Sequence, residues 1–397
     1  MGNDFDTIIV RSGTASLKYD FRQSTFGRSD VLPLWVADMD FASPEGVQRA
    51  LSARASHPIY GYSIYPESLY ESLMQWLSTR HGWKVQRESI MLCPGVVPSL
   101  NAAILALTQP GDGVIVQPPV YAPFLSAPAA TGRKLLLNPL ILENGRYCFD
   151  LQDLERHAQK NGARLLLLCS PHNPVGRVWQ EQELRALLEI CQRHGITVVS
   201  DEIHSDLIYP GTQHTPLAGL AHGAVNVITA TAPSKTFNIP GLGLSALIVP
   251  DERDRNAINR AFDTLHVSAA NPFSIAAFEA AYREGAPWLA GLLDYLAVTR
   301  GFVRTYLQQH LPLIKLIEPE GTYLLWLDCR AMDMNDEQLI QFFVQQAGVG
   351  MSPGVMFGEQ GSGFMRMNIG APRSVIVQAL KNIQRAVAAR DELQRLP

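Results

Sequence analysis

The chain has little that would tie it to a charged partner, a membrane or a disulfide framework. Its 33 basic and 37 acidic residues leave a formal charge of -4. Nucleic acid and anionic membranes therefore meet no general attraction, and an anionic ligand needs a local site. No apolar run approaches the roughly 20 residues of a membrane helix, and the opening MGNDFDTIIVRSGTASLKYDF lacks the basic flank and apolar core of a signal peptide. The five cysteines, Cys93, Cys148, Cys169, Cys191 and Cys329, are odd in number and widely spaced, with no C-x-x-C pair. That usage reads as reduced core thiols in a cytoplasmic protein. Also missing are the G-x-x-x-x-G-K-[ST] phosphate loop, the H-E-x-x-H helix and any paired Cys/His cluster, so no metal is expected. The glycines of GLGLS lack the third member of a dinucleotide fingerprint and do not follow a first strand.

What is present is the composition of an ordinary globular enzyme: 397 residues, 47% of them hydrophobic and 18% charged. A chain of this length can form a large domain and a smaller one. Short apolar runs recur at 89–93, 113–117, 134–138, 164–169, 197–202, 225–230 and 244–249, and most are separated by helix-period stretches such as EQELRALLEICQRHG. Continuously apolar strands alternating with helices predict an α/β domain over 46–286, built on a mostly parallel seven-stranded sheet sandwiched by helices. From 287 to 397 the pattern changes to a long helical stretch, then the strand-like TYLLWLDC and FMRMNIG with helices around them. This reads as a small α+β domain, with residues 1–45 packing on it.

Ligands of open parallel sheets bind at the carboxyl ends of the strands. The residues that follow these runs are Gly95, Val96 and Val97 opening a helix, Tyr121 in PPVYAPF, and Asn173 in SPHNPVG. After TVVS come Asp201, Glu202 and His204, and after VNVITA come Ser234 and Lys235. A Gly-led helix start presents free N–H groups to a phosphate. A lysine at the end of a core strand loses its proton through desolvation and can attack an aldehyde, and a carboxylate beside a pyridine nitrogen keeps that nitrogen protonated. Together these parts suit pyridoxal 5'-phosphate held as a Schiff base over an aspartate. Glu202 reads as a structural neighbour of Asp201.

The residues Asn173-Pro174-x-Gly176, Asp201-Glu202 and Ser234-Lys235-Thr236-Phe237, in this order and spacing, resemble the fold-type I pyridoxal phosphate enzymes of the class I and II aminotransferase group. The resemblance covers nearly the whole chain. It implies that Lys235 carries the cofactor, Asp201 faces the pyridine nitrogen, Asn173 the ring hydroxyl and Tyr121 the ring face. It also implies that Arg366, in FMRMNIGAPR, grips the substrate carboxylate. Aminotransferases usually carry an arginine eight residues after the lysine and a tyrosine three after the aspartate; here Gly243 and His204 stand there. With WVADMDF, YGYS, SKTFNIPGL and GAPW, these departures resemble the MalY/PatB-type carbon–sulfur β-lyases, or cystathionine β-lyases.

By that resemblance Tyr62 reaches the phosphate of a neighbouring subunit's cofactor, which makes a homodimer necessary. His204 is either a core hydrogen-bonding residue or a neighbour of the ring oxygen. With Ala232 where a phosphate-binding serine is common, Ser234, Tyr62 and the 95–97 amides are left for the phosphate. The expected activity is β-elimination of cystathionine or cysteine conjugates to a thiol, pyruvate and ammonia. In this scheme Lys235 is the base, Asp201 sustains the ring charge, and Asn173, Tyr121 and Arg366 contact the small sulfur amino acid. An aminotransferase is the alternative within the same fold, and a regulatory protein with a retained cofactor site is the alternative of another class.

Overall fold

The computed structural model describes residues 4–160, 162–264 and 266–394. Each of the seven apolar runs forms a strand of one sheet: β1 (Ile90–Cys93), β2 (Gly113–Val116), β3 (Lys134–Leu137), β4 (Ala163–Cys169), β5 (Thr197–Asp201), β6 (Val227–Thr231) and β7 (Ser245–Ile248). Across the sheet the order is β1-β7-β6-β5-β4-β2-β3. All pairs are parallel except those of β7, which runs antiparallel to both β1 and β6. The continuous apolar character has a simple cause, because successive side chains of a strand point to opposite faces and both faces are covered. Ile115, Leu166, Leu168 and Val198 enter one buried cluster, whereas Val114, Val116, Leu165, Leu167 and Val199 enter another.

The helices that matter for the site are α1 (Glu45–Ser56), α2 (Glu67–His81), α3 (Val96–Leu107), α4 (Pro272–Glu284), α5 (Ala286–His310) and α6 (Arg373–Gln394). Helix α4 starts where Asn271 caps it, its side chain accepting from the N–H groups of Phe273 and Ser274, with Pro272 at the first helical position. A second, antiparallel sheet holds β8 (Lys315–Ile317), β9 (Leu324–Asp328), β10 (Ser352–Pro353) and β11 (Phe364–Asn368), ordered β8-β9-β11-β10. In this register Arg366 stands opposite both Trp326 and Ser352. A small hairpin pairing Ile141–Glu143 with Arg146–Cys148 was not expected. Its signal is Asn144-Gly145, both at positive φ, the preferred two-residue hairpin turn.

Residues 32–40 run beside the second sheet as a strap. Leu32 and Pro33 pair in parallel with Val349 and Gly350, the Asn368 N–H donates to the Leu34 carbonyl at 2.9 Å, and the Asp40 N–H donates to the Gly370 carbonyl at 2.7 Å. Two cations from the preceding segment hold its acidic end. Arg11 reaches Asp38 at 2.7 Å and Asp40 at 2.6 Å, and Lys18, with none of its side chain exposed, lies 3.1 Å from Asp40. The Tyr19 hydroxyl adds a hydrogen bond to Asp40 at 3.0 Å.

Removing one partner of such a buried group leaves the other charge uncompensated, at a cost on the order of 3–5 kcal/mol. Asp40→Ala is therefore expected to lower the melting temperature by several degrees, as read by circular dichroism at pH 7. An unchanged melting temperature would show that the cluster contributes nothing to stability.

Candidate active site

The carboxyl ends of β1, β4, β5 and β6 open on one cavity of about 440 Å³. At its floor Asp201 ends β5, and the next residue, Glu202, faces away, as alternation in an extended chain requires. The Glu202 carboxylate accepts from Ser200 Oγ and the Leu217 N–H and lies 2.9 Å from His214 Nε2, a set of structural contacts. The Asp201 carboxylate has one hydrogen bond, from the Ile203 N–H at 3.1 Å. Burial raises its pKa to about 7, so it is poised to become fully ionised beside a cationic partner. Gly95, at φ +149°, lets α3 begin immediately after β1, and the first amides of that helix, at Val96 and Val97, line the same cavity.

Lys235 sits on a four-residue helical turn, Pro233–Thr236, whose first position is occupied by proline. The next residue fixes this turn from behind, the Thr236 hydroxyl donating to Asp206 at 2.9 Å. Burial pushes the Asp206 carboxyl up, but hydrogen bonds from His81, Thr236 and Trp76 hold it below the ordinary carboxylate range. Lys235 Nζ donates to the Ala37 carbonyl at 2.7 Å. Burial, reinforced by the nearby Arg366, lowers the lysine pKa to about 8. Its amine is thus far closer to the free-base form at neutral pH than an exposed lysine's.

Arg366 comes from the middle of β11 and is 5% exposed. Its guanidinium donates to Asn173 Oδ1 at 3.0 Å, the Trp35 carbonyl at 2.7 Å and Ser352 Oγ at 3.3 Å, and lies over the Phe357 ring. Nε has no partner, and among the described residues no carboxylate pairs with this arginine. Burial pulls its pKa down to about 10. A desolvated guanidinium that no carboxylate neutralises is suited to a ligand carboxylate.

Tyr121, Ser234 and His204 complete the wall. Burial, with the nearby Lys235 and Arg366 cations, drives the His204 pKa down to about 3, so the imidazole is neutral, and its Nδ1 has no partner. The cavity therefore brings together every residue expected there except Tyr62, which is fully exposed in this chain, beside exposed Ile59, Tyr60 and Ile64. Among the described residues, Lys235 and Arg366 are the only Lys or Arg side chains lining the cavity. Gly243 adopts a left-handed φ of +54° where aminotransferases place arginine, so an anion at the α3 amides would meet neutral donors in this chain.

Sequence reasoning missed Trp35, Ala37, Tyr323 and Ser352 as functional residues. Two of them act through main-chain carbonyls, which any residue type supplies. Tyr323 acts through a hydroxyl that donates to the same Ala37 carbonyl at 2.9 Å, and only WVADMDF marked the place at all. Apart from that cavity, the fit to pyridoxal 5'-phosphate rests on the unmatched groups themselves: a carboxylate lacking a cation, a guanidinium lacking an anion, an orphaned imidazole nitrogen and a helix start.

Comparison with known proteins agrees with this geometry. Residues 29–383 match the family model described as aminotransferase class I and II. The cystathionine beta-lyase PatB of Bacillus subtilis (strain 168) is 42% identical over 386 residues, covering 97% of this chain and 100% of that protein. Cystalysin from Treponema denticola, whose crystal structure contains a pyridoxal 5'-phosphate cofactor, is similar with a TM-score of 0.95 and 36% identity over 98% of this chain and 100% of its own. The PLP-bound C-S lyase from Staphylococcus hominis gives a TM-score of 0.91 and 31% identity, with 97% and 98% covered.

The depressed lysine pKa is also a statement about stability. With pKa values of about 8 folded and 10.5 in the free side chain, the unfolded chain binds more protons between those values, and stability rises with pH across that window. Below pH 8 the full penalty of the partly buried ammonium is present. Lys235→Met is therefore expected to raise the melting temperature of the cofactor-free protein at pH 7, with the gain shrinking toward pH 10.5. A variant that melts lower than wild type at pH 7 would contradict the desolvated lysine.

Proposed function

The chain belongs to the aminotransferase class I and II family, and from that membership we propose that it is a pyridoxal 5'-phosphate-dependent carbon–sulfur β-lyase. Its substrates on this reading are cystathionine or cysteine conjugates, and its products a thiol, pyruvate and ammonia. The observation that carries the reading is the pairing, in one cavity, of a near-neutral-pKa lysine with an arginine that has no carboxylate partner. The identity to a cystathionine beta-lyase over nearly the full length selects elimination over amino transfer.

The cofactor supplies an electron sink that acidifies the substrate's Cα–H and lets a β thiolate depart. Lys235 would anchor the cofactor before substrate arrives, and its amine, once free, is the group placed to take the Cα proton and to return a proton to the departing sulfur. Asp201 would pair with the ring nitrogen and, against that cation, would stay ionised despite burial. The amides of Val96 and Val97, led by Gly95, and the Ser234 hydroxyl would hold the phosphate. Asn173 and the neutral His204 would serve the ring hydroxyl, and Tyr121 would cover the ring face. Arg366 holds the substrate carboxylate, which orients the Cα–H bond toward the lysine.

The same reading makes residues 46–286 the cofactor-binding unit, with 1–45 and 287–397 forming the smaller one. A second copy of the chain covers the exposed Ile59, Tyr60, Tyr62 and Ile64 and receives Tyr62 at its own phosphate site. Five free cysteines suit a reducing cytoplasm, and among the described residues no helix is long and apolar enough to cross a membrane.

Purified protein supplied with pyridoxal 5'-phosphate is expected to release pyruvate from L-cystathionine, with an equal amount of thiol, when no 2-oxo acid is added. Arg366→Ala should keep the cofactor absorbance and lose about 100-fold in kcat/KM. A requirement for a 2-oxo acid would point to amino transfer instead. For the shared site, inactive Tyr62→Ala and Lys235→Ala proteins are mixed and allowed to exchange subunits. The mixed dimer then contains one site with both groups, so activity is expected to return to about a quarter of wild type. No recovery despite demonstrated exchange would remove Tyr62 from the neighbouring site.

A further inference from the structure

Asn238, three residues after Lys235, lies in the left-handed region at φ +55°. Its side chain behaves like a short piece of neighbouring strand. Nδ2 donates to the Met39 and Phe41 carbonyls, each at 2.8 Å, and Oδ1 accepts from the Met39 N–H at 2.8 Å. Its own carbonyl accepts from the Ser43 hydroxyl at 3.1 Å. A primary amide of this length is needed, since aspartate has no donor and leucine has neither donor nor acceptor. Asparagine also tolerates the left-handed backbone better than most residues.

The segment gripped by Asn238 is the one that holds both cations of the cavity. The Ala37 carbonyl accepts from Lys235, and the Trp35 carbonyl accepts from Arg366. On the other side of the strap Asn368 donates to the Val36 carbonyl at 2.6 Å and the Asp38 carbonyl at 2.7 Å. Asn368 thus secures the strap to β11 and Arg366, and Asn238 secures it to the lysine turn.

We propose that Asn238 is a positioning residue for Lys235: by fixing residues 39–41 to the lysine turn, it sets the Ala37 carbonyl as the resting acceptor of the lysine amine and so places the base that removes the Cα proton. The role in proton removal rests on the lyase reading, whereas the placement of the amine does not. The charged groups acting on Lys235 are Arg366 from β11, Asp38 from the strap and Asp201 from β5. The neutral His204 and the Tyr323 hydroxyl also border it. Replacing Asn238 with another uncharged residue alters none of these charges, so a change in the amine's titration reports its hydrogen bond.

The test uses Asn238→Gly, which keeps the left-handed backbone accessible. In the cofactor-free protein, the rate of Lys235 acylation is followed against pH by peptide mass spectrometry. Wild type is expected to reach half its maximal rate near pH 8. In the variant the midpoint falls by about one unit, because losing a carbonyl acceptor disfavours the ammonium. In the cofactor-loaded protein, kcat for pyruvate release falls about tenfold while KM stays within about twofold, since Arg366 keeps Asn173 and Ser352 as partners. An unchanged acylation profile in a variant that melts like wild type overturns the proposal, as does a KM that rises in step with the loss of kcat. If wild type releases no pyruvate, the lyase reading fails and the acylation profile still decides the placement. Should Asn238→Gly not fold, Ser43→Ala removes one bond and leaves the asparagine. It is expected to lower kcat about threefold with a smaller downward shift of the midpoint, and wild-type values for both overturn the proposal.

Discussion

Two cations share one cavity, and main-chain carbonyls hold them in place of carboxylates. Lys235 rests on Ala37 and Arg366 on Trp35. A carboxylate partner would have neutralised each cation and occupied the place a ligand must take. Carbonyls satisfy the N–H donors while leaving the charge free for an incoming anion. The repulsion between the cations lowers the lysine pKa further than burial alone. This arrangement works only if the carbonyls themselves are immovable, which explains why a short strap carries so many anchors: a parallel pairing at 32–33, Asn368 and Asn238 along its length, and the Arg11, Lys18 and Tyr19 cluster at its acidic end.

The sheet sets the other half of the geometry. Its parallel strands end on the same edge, so Asp201 and the turn bearing Lys235 reach the cavity from adjacent strands without any long loop. The antiparallel β7 returns the chain past the same edge and brings Gly243 and Ser245 into the lining. At Gly243 the left-handed backbone replaces a cation that aminotransferases use, and at His204 a neutral imidazole replaces a phenol. The first change leaves this end of the cavity one cation poorer, and its lining there includes the start of α3 and Ser234.

How much could be read beforehand differs by kind of residue. Strands were legible because a sheet covered on both faces writes an unbroken apolar run, as in RLLLLC, and because helices of period 3.6 lie between the runs. The hairpin at 141–148 escaped since its strands are short and mostly exposed, although Asn144-Gly145 announces the turn. Lys235, Asp201 and Asn173 were legible because their side-chain chemistry follows strand ends in an informative order, whereas Arg366, in the middle of β11, was legible only through the family resemblance. Ala37 and Trp35 were not, since a carbonyl belongs to every residue. The fourfold satisfaction of Asp206 by Trp76, His81, Thr236 and the nearby Arg80 was equally hidden, because its partners are remote in sequence.

The amino-acid sequence by itself determined the strand and helix periods and the order of chemical groups at the strand ends. These are local properties, set by side-chain type and spacing. Tertiary structure decided which groups face one another. It brought Arg366 from β11 to Asn173 across the cavity, left that arginine without a carboxylate, and set two carbonyls of the strap against two cations. Such pairings depend on the packing of one sheet against the other, and no local pattern contains them because burial and distance are properties of the whole fold.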